Sequence, residues 1–201
     1  MTPTQKPANS LYLALVGIVV LAISVGLVAL QPYGTPLNWA IRVAALSGYQ
    51  AIFLAIVSSN YMRQMRQRFG RPFIKVHHAL SIAGLSLVTL HPLLIAWDSL
   101  SLGVFVPRFD SWRVFLQLGG RPAWYLLGLA SLAALLRRKI RRPWRVIHTL
   151  NYVAFWLATA HAILIGSSLQ SMVTKAVAVL MALAVVAICI QKRVQGRRGK
   201  A

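Results

Sequence analysis

Six apolar stretches, residues 11–30, 41–58, 77–95, 123–136, 146–165 and 172–190, run through this 201-residue chain. About 20 apolar residues in helical form match a hydrocarbon layer of about 30 Å. No water at that depth satisfies backbone N–H and C=O groups, so a spanning run must be a helix that closes its own hydrogen bonds. The composition agrees, because 58% hydrophobic and 12% charged residues are too apolar a mix for an ordinary soluble domain. The expectation is an all-α polytopic membrane protein, a six-transmembrane-helix bundle over residues 11–190. Residues 1–10 form a cytoplasmic N-terminal tail and residues 191–201 a basic cytoplasmic tail. Pro122 and Arg137 close in the fourth stretch. The first reads as a helix rather than a signal peptide, because it outruns an h-region, has only Lys6 before it, and is followed by no A-x-A site.

A formal net charge of +20 first suggests nucleic acid, but its placement says otherwise. Seventeen of the 22 basic residues fall at Lys6, between Arg63 and Lys75, between Arg137 and Arg145, and between Lys192 and Lys200. These segments share one side if the amino terminus is cytoplasmic. The other side holds Arg108, Arg113, Arg121 and Lys175, with Asp98 and Asp110 as partial offset. This positive-inside pattern puts both termini in the cytoplasm of a multi-pass protein of the cell (inner) membrane, its basic loops against anionic lipids, and makes a nucleic-acid partner unnecessary.

Cys189 is the single cysteine, so there is no disulfide framework and no C-x-x-C-H attachment site for haem. Both acidic residues lie in the outer loop, which leaves no membrane carboxylate to relay protons or bind a coupling cation. Carboxylate-driven transport and proteolysis are thereby disfavoured.

Four of the five histidines form two helix-length pairs, His77 with His91 and His148 with His161. Each pair separates its imidazoles by about 20 Å along a helix. The third and fifth helices run the same way, so His77 and His148 share an inner level and His91 and His161 an outer one. Imidazoles in hydrocarbon need pairing or ligation. Two axial imidazoles per iron account for all four, as two non-covalent six-coordinate haems b with no open position for oxygen, which pass electrons. His78 is the competitor of His77, since its spacing to His91 equals that of the other pair; it reads as packing or interfacial. Helical phase separates the pairs. At about 100° per residue, 14 residues end about 40° from alignment and 13 end about 140° away. Either the fifth helix is wound more tightly between His148 and His161, or the two haem planes approach it from different sides.

At these residues the chain resembles the ferric reductase-like transmembrane domain, the dihaem core of ferric reductases and NADPH oxidases. His77-His78-Ala79-Leu80-Ser81 through Leu90-His91-Pro92 is similar to that family's third helix with its H-x13-H spacing. Trp144-Arg145-Val146-Ile147-His148 through Ala160-His161 is similar to its fifth, with the H-x12-H spacing of the oxidase branch. The resemblance covers roughly residues 40–190. It implies an inner haem on His77 and His148, an outer haem on His91 and His161, and electrons moving outward. The W-x3-H-x12-H pattern is also similar to the haem-binding membrane subunit of the periplasmic methionine sulfoxide reductase system. That subunit lacks a histidine at the level of His77, so the dihaem branch is the better match and a single-haem subunit feeding a periplasmic reductase the alternative.

Eleven residues follow Ile190, too few for a flavin- and nicotinamide-binding domain, and no G-x-G-x-x-G occurs elsewhere. The chain therefore reads as an oxidoreductase component. The expected donor is a separate flavoprotein reductase, free reduced flavin or quinol; the acceptor is a ferric chelate, oxygen or a periplasmic reductase. Arg42, Arg121 and Lys175 are candidates to pair with outer-haem propionates, Arg145 and Lys75 with inner ones, against a background of headgroup snorkelling. Trp39, Trp97, Trp112 and Trp124 read as an outer interfacial belt. Trp156, between the two levels, is an aromatic placed to ease inter-haem transfer, with packing as the plainer role. The rival from another class is a non-redox membrane scaffold or small-solute permease whose histidines bridge helices.

Overall fold

In the computed structural model, residues 8–30, 34–61 and 73–198 are described, and every regular element among them is helical. Lys6, the basic residues from Arg63 to Arg71, and Lys200 lie outside these residues. The elements are α1 (Ala8–Ala29), α2 (Pro36–Asn60), α3 (Phe73–Ser99), α4 (Trp112–Gln117), α5 (Gly120–Leu135), α6 (Arg137–Ile140), α7 (Pro143–His148), α8 (Leu150–Ile165) and α9 (Met172–Arg198). Short 3₁₀ turns cover Leu102–Phe105 and Ser167–Leu169. Local chemistry starts several of these. Thr35 caps α2 by accepting from the Asn38 N–H, with Pro36 in the first turn, where its missing donor costs nothing. Ser111 caps α4 in the same way through Val114.

All six apolar stretches are helical, but length and composition single out three helices able to cross a membrane: Pro36–Asn60, Ile74–Ser99 and Met172–Val194. Ala14–Ala29 is a shorter apolar helix. Helices α5 and α8 have 16 residues each, about 24 Å, and fall short of a full span on their own. Among its described residues the chain is thus all-helical, with three helices of membrane length.

Helix α2 is the centre. Of its most apolar window 56% is buried, against 22% in α9 and 6% in α3. The core joins Ile52 and Ile56 of α2 to Ala123 and Leu127 of α5, Ala154 and Phe155 of α8, and Ala182, Val185 and Ile188 of α9. Outward-facing residues are themselves apolar, including Ile18, Leu21, Ile82, Leu93, Leu132, Leu180 and Leu183. An apolar exterior around a small core is what a lipid solvent favours. Helix α1 rests on α2 through the Ser24 hydroxyl, which donates to the Val20 carbonyl and accepts from Gln50.

The closest approach is between α2 and α3, at Gly48 and Gly84. A Cβ on Gly48 would lie 2.7 Å from Val88 Cγ1 and 2.9 Å from the Val88 backbone nitrogen. One on Gly84 would lie 2.8 Å from Ile52 Cδ1 and 3.1 Å from the Ile52 nitrogen. Each helix meets the other's backbone, so rotamer changes give no relief; small residues permit such contact between membrane helices. Gly128, with nothing within 4 Å of its would-be Cβ, is the internal control. Gly48→Leu or Gly84→Leu is expected to lose about 1–3 kcal/mol from overpacking. Gly128→Leu should leave the detergent melting temperature nearly unchanged; equal losses in all three would mean that the α2–α3 seam is not set by these glycines.

Candidate haem-ligating histidines

Each of the four paired histidines is held by the same device. His77 Nδ1 lies 2.9 Å from the Ala55 carbonyl oxygen, and His91 Nδ1 lies 3.1 Å from that of Ile41. His148 Nδ1 lies 3.0 Å from the Ala130 carbonyl oxygen, and His161 Nδ1 lies 2.6 Å from that of Gln117. A carbonyl only accepts, so each Nδ1 carries the proton and donates it, which leaves Nε2 as the unprotonated nitrogen of each ring; at His148 the Asn151 amide Nδ2 lies 3.5 Å from it. A backbone acceptor on one ring nitrogen is the usual support of a histidine that ligates a metal through the other.

The acceptors repeat in register. Fourteen residues forward on α3, from His77 to His91, correspond to fourteen back on α2, from Ala55 to Ile41. Thirteen forward from His148 to His161 correspond to thirteen back from Ala130 to Gln117. Antiparallel neighbours thus hold the two rings of each helix alike. Gln117 is the last residue of α4, where the helix stops and the chain turns through Gly119; the Arg121 N–H goes to Leu118, sparing the Gln117 carbonyl for His161. Gly120 completes this corner. A Cβ there would lie 3.0 Å from His161 Cδ2 and 3.1 Å from Nε2.

Tighter winding recovers part, but not all, of the phase of the 13-residue pair. Between α7 and α8 the Thr149 N–H reaches the Val146 carbonyl, the Tyr152 N–H reaches that of Thr149, and the Thr149 hydroxyl donates to Val146. Each residue in this 3₁₀ geometry adds about 20° over an α-helix, turning His161 back toward the face of His148.

His77 and His148 are close enough to interact electrostatically, as are His91 and His161. The first pair sits at the basic end of the bundle, which carries Lys75, Arg137 to Arg145, and Lys192; the second sits at the far end. Among the described residues no group of three or more His, Cys, Asp or Glu gathers at one point. His78 is exposed, its ring centroid 6.0 Å from that of His77. That exposure places His77, not His78, toward the bundle.

The far-end pair faces a cavity of about 500 Å³ between α2, α3, α5 and α8, within the range of about 300–1,000 Å³ usual for cofactor sites. Its wall is mainly aliphatic and aromatic, with His91 and His161 on it and Arg42, Arg121 and Ser168 among its polar members; Asp98, expected in the outer loop, stands in the last turn of α3 and also lines it. Arg42 is only 6% exposed, and its Nε donates to Ser168 Oγ at 2.9 Å. Arg121 donates to the Val106 carbonyl. Lys175 does not line the cavity, and at the basic end Lys75 and Arg145 are exposed, the latter lying over the Trp144 ring. Of the candidate propionate partners, the structure brings Arg42 and Arg121 to the histidines and leaves Lys175, Lys75 and Arg145 at the periphery.

Midway between the levels lies an aromatic pair that sequence reasoning missed. Phe155 is 1% exposed and stacks on Tyr49 with ring centroids 4.6 Å apart, while the Tyr49 and Thr159 hydroxyls are 2.9 Å apart. Trp156, the aromatic singled out from sequence, is 43% exposed and points outward. Phase was the available signal, since residue 155 follows His148 by about two turns. Trp124 likewise departs from the belt: it donates to Thr89 Oγ1 at 3.0 Å and lines the cavity, whereas Trp97 and Trp112 are well exposed.

A planar, mainly apolar ligand with carboxylate ends suits this set of groups. Two imidazoles stand on the cavity wall, that wall is mainly apolar, and the Arg42 guanidinium brings a positive charge to it. Gly120→Val is expected to push the His161 ring from the Gln117 carbonyl. In ¹⁵N-labelled protein the His161 Nδ1–H signal should then move upfield while that of His77 stays; an unmoved His161 signal would contradict the close approach.

No protein-family model, curated protein or solved structure matches this chain.

Proposed function

We propose that this protein is a transmembrane b-type cytochrome that passes electrons through two bis-histidine haems, from a cytoplasmic or membrane donor to an acceptor on the outer side. The observation that carries the reading is the fourfold Nδ1–carbonyl bond, repeated at two levels with Nε2 the unprotonated nitrogen of each ring. Helix-bridging histidines would use both ring nitrogens, or either one at random. A haem held by two imidazoles supplies one-electron transfer with no open position for oxygen.

The residues divide the work. His77 and His148 hold the inner group, His91 and His161 the outer one. Arg42, Ser168 and Arg121 neutralise and orient the carboxylate edge of the outer group. Phe155 and Tyr49 fill the space between the levels and keep water from it. In this reading six helices span, with α7 and α8 forming one crossing over residues 143–165, about 34 Å. The basic end faces the cytoplasm, where it steers an acidic flavoprotein reductase, an anionic reduced flavin or the headgroup-level approach of a quinol. Ferric chelates, oxygen or a periplasmic reductase then meet the far end.

A second reading, a single-haem membrane subunit feeding a periplasmic reductase, is favoured by two observations. The cavity belongs to the far-end pair. Asn151 Nδ2 also lies 3.5 Å from His148 Nε2, within reach of that lone pair.

Pyridine haemochrome analysis of the purified chain distinguishes these readings. Two haems b per chain are expected, falling to one in His161→Ala and in His77→Ala; one haem, lost in His161→Ala and kept in His77→Ala, would select the second reading. No Soret band despite ample haem supply would end both and leave the non-redox scaffold or permease.

Sidedness is tested in oriented vesicles. With a flavin donor on the basic side, His161→Ala should leave one reducible centre and abolish transfer to an external ferric chelate, while His148→Ala should block both steps. Reporter fusions at either terminus should be active on the cytoplasmic side. Entry of electrons from the far side at full rate in the His148 variant would replace the outward conduit with a quinone-linked or inward one.

A further inference from the structure

We propose that Lys192, held by Ser59, is the cationic anchor for the carboxylates of the porphyrin at the His77–His148 level; this rests on the haem reading above. In the sequence Lys192 is only one basic residue of a cytoplasmic tail. In the structure its Nζ donates to Ser59 Oγ at 2.7 Å, and the Ser59 hydroxyl in turn donates to the Ile56 carbonyl. Ser59 lies four residues after Ala55, on the same face of α2, and Ala55 supplies the carbonyl that orients His77. Ser59 therefore stands about one helical pitch, roughly 5 Å, beyond Ala55 along α2, and the ammonium is held there. It is within electrostatic range of the His77 ring. Next to it, Asn60 donates to Gln191 at 2.9 Å, so α9 is fastened to α2 at consecutive positions and Lys192 is half-buried.

A half-buried ammonium calls for an anion. The whole chain contains two acidic residues, Asp98 and Asp110, and both lie at the far end. Asp110 is already engaged by Arg108 in a two-pronged ion pair, whose hydrogen bonds hold its carboxyl below the usual carboxylate range. Neither side-chain carboxylate of this chain therefore reaches Lys192. Ser59 uses one of its three N–H donors, and the others suit an anionic ligand. The porphyrin carries two carboxylates, which need cationic partners in an apolar bundle. Lys75 and Arg145, the cations expected from sequence at this end, are exposed, whereas Lys192 is tied to the turn next to His77. The other source of an anion at this depth is a lipid headgroup phosphate.

The test is optical redox titration of the full-length protein in nanodiscs, on a His161→Ala background that retains only the inner centre. A positive charge beside an iron favours the added electron. Lys192→Met should shift the inner midpoint potential downward, and its pH dependence between about pH 6 and 8 should steepen as a carboxylate without its cation takes up a proton on reduction. Lys192→Arg should restore both. Ser59→Ala, which keeps the charge but loosens it, should give a smaller shift in the same direction, and serves alone if Lys192→Met does not fold. These shifts should be equal in zwitterionic phosphatidylcholine and in phosphatidylglycerol nanodiscs. A difference confined to phosphatidylglycerol would assign Lys192 to a lipid phosphate and overturn the proposal, as would an unmoved potential in a fully loaded variant. Absence of haem from the unsubstituted chain would instead remove the reading beneath it.

Discussion

Hydrocarbon offers an imidazole N–H nothing to bond to, and this constraint shapes the arrangement of the four histidines. Each ring must find an acceptor inside the bundle. Each finds a backbone carbonyl on an antiparallel neighbour, where a second lone pair is available even within a helix. Satisfying one nitrogen in this way fixes the tautomer and ring direction of the other. In the proposed reading, the same bonds that would make the histidines tolerable in a membrane would also prepare them as ligands.

Helix α2 is the part on which both levels depend. It supplies Ile41 and Ala55 as acceptors, Arg42 at one end and Ser59 at the other, and Gly48 in between, where α3 comes closest. It is also the most buried of the membrane-length helices. The polar links from α2 to the α9 side lie at the two ends, Arg42 with Ser168 and Asn60 and Ser59 with Gln191 and Lys192. The middle is closed by apolar packing around Phe155. Such a division leaves the bundle dry between the levels and polar where charged groups have to be met.

Much of this was legible in the amino-acid sequence, for identifiable reasons. Apolar runs of membrane length announce helices because hydrocarbon allows little else, and the 13- and 14-residue histidine spacings carry phase information that drew attention to the stretch between His148 and His161, where a short 3₁₀ turn lies around Thr149. The acceptors were not legible, because a backbone carbonyl has no residue type: nothing marks Ala55 or Ala130 among other alanines. Trp156 drew attention by its size, but its phase turns it outward, and the smaller Phe155 occupies the interior. Lys192 was hidden among other tail charges, since only the packing of α9 on α2 separates it from a solvated lysine. The number of crossings rests on charge placement, because α5 and α8 are individually short.

Holding rings by main-chain oxygens has an evolutionary side. Changing the side chain at Ala55, Ile41, Ala130 or Gln117 leaves the acceptor itself in place, so what limits the first three, all buried, is the packing around them and not the bond. Inserting or deleting a single residue in α2 between Ile41 and Ala55 is another matter. It would rotate one carbonyl by about 100° relative to the other, so that no position of the helix could serve both histidines of α3 at once. The hydrogen bonds are therefore indifferent to residue type within the limits of packing and intolerant of changes in length, and helix length between the two levels is the quantity that selection has to guard.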